Sequence, residues 1–448
     1  MTSLPRVLLA APGTGQGKTT VATGLMAALR AAGHRVSGHK VGPDYIDPGY
    51  HALACGRPGR NLDPHLVGED LVVPLLQHGA RGADIAVIEG VMGLFDGRLG
   101  TQGFASSAHV ATVTRTPVIL VVDVGRASRS IGAIVHGMAT WDPGVGVAGV
   151  ILNRVGSARQ VAEIRDAVGL PVLGEIPRDP DLATPSRHLG LVTAAERGES
   201  AAVVARLADV VAEHVDLDAV LDIARGAADL DGEPWNPATA LGDAAVAEPG
   251  RRPVVAVAAG RAFTFRYAET LELLEAAGCD IVTFDPAHDQ RLPDGTAGLY
   301  LGGGFPEEHA AELVDNAALR QQIRDAVVDG LPTVAECAGL LYLCATLDDR
   351  PMAGVLDAHA RMTSRLTLRY PEAVATERTL LTRPGERISG HEFHRTQVTP
   401  GTGSTPAWFI DREPVGFASP TLHASYLHTH WAGHPQLAAR FAAAVRAR

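Results

Sequence analysis

The run Ala11-Pro12-Gly13-Thr14-Gly15-Gln16-Gly17-Lys18-Thr19-Thr20 constrains this chain more than any other stretch. It follows a strand expected over 6–10, apolar from residue 7, and opens a helical pattern over about 18–32. A strand, a glycine-rich turn and a helix start together make a phosphate cradle. Backbone N–H groups close around anionic oxygens there, and the helix dipole adds positive potential. In that geometry Gly13, Gly15 and Gly17 keep the loop pliant, and Lys18 reaches the terminal phosphates. Thr19 offers its hydroxyl to Mg²⁺, and Thr20 is expected among the ATP-binding residues. The first glycine of the usual spacing is Pro12 here. An ordinary glycine-rich turn is the plain alternative, but the flanking strand and helix favour a nucleoside triphosphate site.

The rest of the first half keeps the same rhythm. Apolar runs at 36–41, 85–89, 118–123, 149–153 and 172–176 alternate with helical patterns such as 161–168. Such alternation predicts an α/β domain with a parallel sheet covered on both faces and ligands at the carboxyl ends of its strands. Lys40 stands at one such end, before Gly42-Pro43-Asp44-Tyr45-Ile46-Asp47-Pro48. Asp44 and Asp47 suit Mg²⁺ coordination or substrate orientation, with Asx-turn chemistry as the alternative. Glu89 closes the next run, where a P-loop site takes a second metal ligand, and leads into Gly90-Val91-Met92-Gly93-Leu94-Phe95-Asp96-Gly97. Asn153 offers both donor and acceptor to a nucleobase edge, and Arg154 a fork for a carboxylate. Turn or surface roles stay equally open for both.

From about 226 to 252 periodicity fades into Ala, Gly, Asp and Pro, which reads as an interdomain linker. A length of 448 residues is enough for two domains. The division expected is 1–245, linker included, and 246–448. The second half restarts an α/β pattern, with strands expected at 254–258, 281–284, 298–301 and 333–335 and helices at 267–277 and 319–328.

Its chemistry concentrates in three places. The cluster Gly302-Gly303-Gly304 ends a strand, and the amides of Gly303, Gly304 and Ala338 would stabilise an oxyanion. Cys337 sits at a sharp strand-to-helix turn, the geometry of a nucleophile elbow, where a helix start lowers a thiol's pKa. His428 supplies imidazole near the C-terminus as a base for the thiol. A buried structural cysteine and core histidines are the plain alternatives.

Composition removes several classes. With 39 basic and 50 acidic residues the net charge is −11, which argues against a nucleic-acid partner. No apolar run has the length to span a bilayer. The four cysteines form no C-x-x-C pair, and no secretory signal precedes the phosphate loop, so a reducing cytoplasm is expected.

Taken together, these runs resemble the cobyrinate a,c-diamide synthases, a group that includes the hydrogenobyrinate a,c-diamide synthases. The likeness covers nearly the whole chain. It rests on 11–20, on 42–48, on the highly specific run from Glu89 to Gly97, and on 302–307, 336–339, 390–394 and 426–430. It implies an N-terminal domain like dethiobiotin synthetase and a C-terminal class I glutamine amidotransferase domain. By position, Cys337 would attack the glutamine amide and His428 would activate it. Lys18, Thr19 and Glu89 would serve ATP and Mg²⁺, with Asp44 as a further metal ligand and Lys40 near the transferred phosphoryl group. Asp44, Tyr45, Asp47 and Asp96 would surround a corrinoid polycarboxylate, and Asn153 would meet adenine. Ammonia would travel a shielded route between the two sites, and a homodimer is implied. One departure stands out. Many class I amidotransferases place a glutamate two residues after the histidine, and here that position is His430. Cobyric acid synthase, nickel-sirohydrochlorin a,c-diamide synthase and a partner-switching P-loop ATPase with an inactive second domain are the alternatives.

Overall fold

A computed structural model of the chain describes residues 2–179, 186–187, 190–191, 200–245 and 252–448. Contacts divide it into two compact units, 1–64 with 68–235, and 65–67 with 236–448.

The first unit is built on a seven-stranded sheet: β1 (Arg6–Ala10), β2 (Val36–Val41), β3 (Arg60–Leu62), β4 (Ile85–Glu89), β5 (Val118–Asp123), β6 (Val147–Val155) and β7 (Val172–Pro177). Their spatial order is β3-β2-β4-β1-β5-β6-β7, and every pairing is parallel. Every residue of β1, β2 and β4 is buried, as expected of a parallel sheet covered on both faces. The helix α1 (Lys18–Ala31) starts directly after the phosphate loop, and α2 (Ile46–Cys55) follows β2. Consecutive strands β1 and β2 are separated by β4, so the chain reverses its winding beside β1. A crevice at the strand ends opens at such a reversal.

The sequence expectations for β1, β2, β4 and β5 match the observed bounds, while β6 runs two residues longer at each end. The linker expected over 226–252 is not uniformly irregular. Leu230 bridges to Thr2, and Trp235 N–H donates to the Pro74 carbonyl at 2.9 Å, which ties this stretch into the first unit. Asn236 then caps the short helix Pro237–Leu241. The last part of the expected linker, 246–251, lies outside the described residues.

The second unit holds a six-stranded sheet in the order Asp280–Phe284, Val254–Ala258, Thr296–Leu301, Thr333–Glu336, Leu422–Ser425 and Phe417–Ala418. The first five are parallel and the last is antiparallel. Two four-stranded sheets, one around Leu356–Arg369 and Glu392–Thr399, the other around Glu372–Val374 and Trp408–Ile410, complete it. These strands were not foreseen. The main core joins Leu299, Leu301 and Ala335 from the parallel sheet to Leu340, Leu341 and Tyr342 behind the elbow.

Candidate active sites

In the first unit the helix start is bare. Gly17, at φ 91°, occupies the N-cap of α1 without a side-chain cap, and the first turn carries no acid. An added Cβ on Gly17 would lie 2.2 Å from Asn153 Nδ2, so both the positive φ and the crowding demand glycine. Asn153 lies against the loop because its Nδ2 donates to the Gln16 carbonyl at 2.8 Å. Gln16 Oε1 in turn accepts from Asp123 N–H at 2.8 Å. The carboxyl ends of β5 and β6 thus buttress the phosphate loop. Arg154 pairs with the protein's own Asp123 at 2.5 Å.

Lys18 is buried, and its ammonium donates to the carbonyls of Gly13 and Met92. Burial, with Lys40 close by, brings its pKa down to about 8. Across from it, β2 and β4 lie in register with Lys40 opposite Glu89. Lys40 Nζ is 2.8 Å from Glu89 Oε1 and 2.6 Å from Asp47 Oδ2. Burial alone would depress the Lys40 ammonium, but Asp47 and Glu89 outweigh it and hold the group charged. Burial would raise the Glu89 carboxyl, but Lys40 and His51 outweigh that and hold it well below the usual range. Burial and the neighbouring Asp44 and Glu89 push Asp47 up.

The residues at this junction fit a hard divalent cation. Thr19 Oγ1 lies 2.6 Å from Glu89 Oε1 and 3.4 Å from Asp47 Oδ2, an all-oxygen donor set. Among the described residues no three His, Cys, Asp or Glu side chains form a metal cluster by themselves. A Mg²⁺ ion would therefore need phosphate oxygens to complete its shell, which is its habit in nucleotide sites. The acid expected at the metal was Asp44 as well as Glu89. Asp44 instead turns Oδ1 to the Ile46 N–H at 2.8 Å, the Asx alternative, and Asp47 is the acid that reaches Thr19. Asp96 accepts from Gly93 N–H at 2.9 Å, which closes the turn after β4, and Leu94 N–H donates to the Ala11 carbonyl. Tyr45 stands at the N-cap of α2, between Asp44 and Asp47.

Two residues here escaped sequence reasoning. His51 Nε2 is 2.7 Å from Glu89 Oε2, and both side chains are fully buried. The signal was the Asp47–His51 spacing of four, which puts both on one face of α2. Asn61 on β3 donates to the carbonyls of Gly42 and Asp44 and pins the acidic loop.

In the second unit Cys337 has φ 49° and ψ −99°, between the strand Thr333–Glu336 and the helix Ala338–Leu343. This is a strained conformation for an L-residue, as a nucleophile elbow requires. The pairing of Thr333–Glu336 with Leu422–Ser425 sets Glu336 opposite Ser425, and Cys337 N–H donates to the Ser425 carbonyl at 2.8 Å. His428 follows three residues later. Its ring lies over the glycine cluster, since a Cβ on Gly303 would be 2.4 Å from His428 Cε1. His391 stacks on the same ring with centroids 4.8 Å apart. Strand register therefore gathers Cys337, His428 and the glycines from three distant parts of the sequence.

Two expectations need correction. The helix start does pull the Cys337 thiol down, through the Ala338 N–H, but burial, with Glu307 near, outweighs it and pushes the thiol up. Nor is Gly303 an oxyanion donor as it stands, because its N–H donates to the Phe265 carbonyl at 3.0 Å. Gly304 and Ala338 remain for that role. Burial lowers His428 to about 3, so its imidazole is a neutral acceptor.

A phosphate-loop unit and an elbow-cysteine unit on one chain define a glutamine-dependent, nucleotide-using amidotransferase. The model of the CobQ/CobB/MinD/ParA nucleotide binding domain matches residues 7–192, and that of the CobB/CobQ-like glutamine amidotransferase domain matches 254–436. A hydrogenobyrinate a,c-diamide synthase of Thermobifida fusca (strain YX) is 62% identical over 99% of this chain and 97% of its own length. Its counterpart in Streptomyces coelicolor is 52% identical, over 98% and 97%. A cobyrinate a,c-diamide synthase of Synechococcus sp. is 39% identical, over 97% of each. This chain belongs to the family of hydrogenobyrinate and cobyrinate a,c-diamide synthases.

Proposed function

We propose that the chain amidates the a and c side-chain carboxylates of hydrogenobyrinate in cobalamin synthesis, using ATP and glutamine. The observation that carries this is 62% identity to a hydrogenobyrinate enzyme over 97% of that relative's length. The first unit, 1–64 with 68–235, is the ATP-dependent carboxylate-activating domain, and the second, 65–67 with 236–448, is the amidotransferase domain, a division about ten residues before the one expected at 245. The protein acts as a cytoplasmic homodimer on small molecules, without nucleic acid or membrane. The net charge of −11 speaks against a nucleic-acid partner. Among the described residues no helix is long and apolar enough to cross a membrane.

A carboxylate is a poor acyl donor because its leaving group would be oxide. Its oxygen attacks the γ-phosphorus of ATP, the bond to the β-phosphate oxygen breaks, and ADP leaves an acyl phosphate. Catalysis here is positioning and charge neutralisation. Loop amides over 13–17 and the bare start of α1, with Thr20 in its first turn, take the phosphates, and Asn153 keeps the loop in place. Lys18 exchanges its carbonyl partners for the γ-phosphate, and Lys40 stands charged beside the transferred group. Mg²⁺, held by Thr19, Asp47 and Glu89, would neutralise phosphate charge. Asp44, Tyr45 and Asp96 face the macrocycle's carboxylates.

At the other site the Cys337 sulfur attacks the glutamine amide carbon while its proton passes to His428. Gly304 and Ala338 amides receive the oxyanion. His428 returns the proton to the departing ammonia, and water then releases glutamate from the thioester. Ammonia displaces phosphate from the acyl phosphate, and a second cycle completes the diamide.

The test is mass spectrometry of products from hydrogenobyrinate, cobyrinate and nickel-sirohydrochlorin in parallel. Two hydroxyl-to-amide replacements, fastest on hydrogenobyrinate, are expected. A faster reaction on either other macrocycle, or ATP hydrolysis with no amide on any, would overturn the assignment.

A further inference from the structure

Position 430, where many class I amidotransferases keep the glutamate that orients the catalytic imidazole, is histidine in this chain. The His430 ring is fully buried and stacks on Tyr267 with centroids 4.2 Å apart. Its Nε2 is 3.6 Å from Glu269 Oε2, so it is engaged on another element. An imidazole that takes a proton from a thiol needs its other nitrogen held, and the imidazolium it becomes needs a counter-charge.

Another carboxylate stands in that place. Glu336 is the last residue of the strand that leads into the elbow, immediately before Cys337. Its Oε2 is 4.0 Å from His428 Nδ1, and both side chains are buried. The Cε1–Nε2 edge of the ring faces the glycine cluster, where a Cβ on Gly303 would meet Cε1 first and come within 3.3 Å of Nε2. One nitrogen thus looks toward a carboxylate and the other toward the glycines beside the elbow.

The carboxylate is clamped. Thr429, next in sequence to His428, gives Glu336 Oε1 its hydroxyl at 2.8 Å and its N–H at 3.3 Å. Tyr300 gives its hydroxyl to Oε2 at 3.1 Å. Trp431 Nε1 in turn donates to Thr429 Oγ1 at 3.1 Å. We propose that Glu336 orients the His428 imidazole and stabilises its protonated form, in place of the carboxylate missing at position 430. This rests on Cys337 and His428 being the catalytic pair. A gap of 4.0 Å is longer than a hydrogen bond, and catalytic hydrogen bonds of this kind tighten when substrate binds and charge develops.

Titration agrees with the geometry. Burial lifts Glu336 to about 7 against the opposing bonds from Thr429 and Tyr300, whereas His428 lies near 3. The other charged or titratable groups around these residues include Cys337, Glu307, Glu392, His391, His394, His430, Tyr426, and Arg266 and Tyr267 beside Tyr300. Glutamine hydrolysis therefore rises as pH passes upward through about 7, where Glu336 ionises.

The experiment measures glutamine hydrolysis against pH in the full-length protein, with ammonia-dependent amidation as the control for folding. Glu336→Gln is expected to lower glutamine kcat/KM by about a hundred- to ten-thousand-fold and abolish the limb near 7, with ammonia use within about twofold of wild type. Glu336→Asp should recover part of the rate. Tyr300→Phe, which removes one bond to the ionised carboxylate, should move the limb upward by roughly half to one pH unit. Near-wild-type activity in Glu336→Gln, loss with the limb unchanged, or an unmoved limb in Tyr300→Phe would overturn the proposal. So would an equal loss in Glu269→Gln, which would hand the role to the His430–Glu269 pair. Cys337→Ala separates the layers: if it still uses glutamine the catalytic pair is misassigned, and if it does not, the other outcomes judge Glu336 alone.

Discussion

The two sites manage charge in opposite ways. In the first, ion pairing overrides burial at the central pair, though not at Lys18 or Asp47: Lys40 stays cationic beside Asp47 and Glu89, and Glu89 stays anionic between Lys40 and His51. In the second, burial prevails: Cys337 is pushed up and His428 down to about 3, so both rest neutral. The difference follows from what each must bind. A polyphosphate arrives with its charge and needs fixed opposite charge waiting for it. Glutamine's amide is neutral, and charge appears there only when the thiol proton moves, so separation is deferred to the moment of reaction.

Cys337→Ala gives the sharpest break between the sites. Glutamine-dependent amidation should fall by about ten-thousand-fold or more, with ammonia-dependent amidation intact. Loss of both would show that the sites do not divide the labour. Lys18→Ala should lower both nitrogen routes together by about a hundred- to a thousand-fold, measured as product formed per ATP-saturated enzyme. Glu89→Gln leaves the buried Lys40 with Asp47 as its one remaining carboxylate among these contacts, and takes the carboxylate from His51. Chemical denaturation should show a loss of about 3–5 kcal/mol, and a small loss would mean that the pairing is replaced by water.

A smaller effect comes from Lys18 titration. Its pKa of about 8 in the folded protein is below the ordinary lysine value, so it is a cost to folding at neutral pH. That cost is relieved as pH rises from about 8 toward 10.5, where the unfolded chain still holds the proton. Bound phosphate restores the charge, so nucleotide affinity should fall above pH 8, at most about tenfold per pH unit. Lys18→Met should flatten that slope; an unchanged slope would assign the titration elsewhere. The smallest change is Asn153→Ala, which removes one bond to the loop and should weaken ATP binding by about fivefold, or ~1 kcal/mol. A much larger loss would place the amide on the nucleotide itself.

The contrast also explains what was legible in advance. The phosphate loop, β1, β2, β4 and β5 are local in sequence, with glycines and buried apolar runs marking their bounds, and they were read to the residue. Cys337 was legible because an elbow is a local strand-to-helix turn. His51 carried only the spacing of four from Asp47 on α2, while Asn61 and Glu336 were not legible because each acquires its role only when strands from separate stretches lie in register. Asp44 and Asp47 looked equivalent until the start of α2 turned one to its own backbone and the other to Lys40. The sheets around Leu356–Arg369 and Glu372–Val374 were missed because their strands are largely polar on one face and lack a buried continuous run.

The most direct measurement supplies purified enzyme with ATP, Mg²⁺, hydrogenobyrinate, glutamine carrying heavy nitrogen in its side-chain amide, and unlabelled free ammonia, and weighs the product. Wild type should place heavy nitrogen in both new amides, and Cys337→Ala should place only light nitrogen in them. Heavy nitrogen in the product of Cys337→Ala, or a wild-type product with no new amide while ATP is consumed, would contradict the assignment of the two sites.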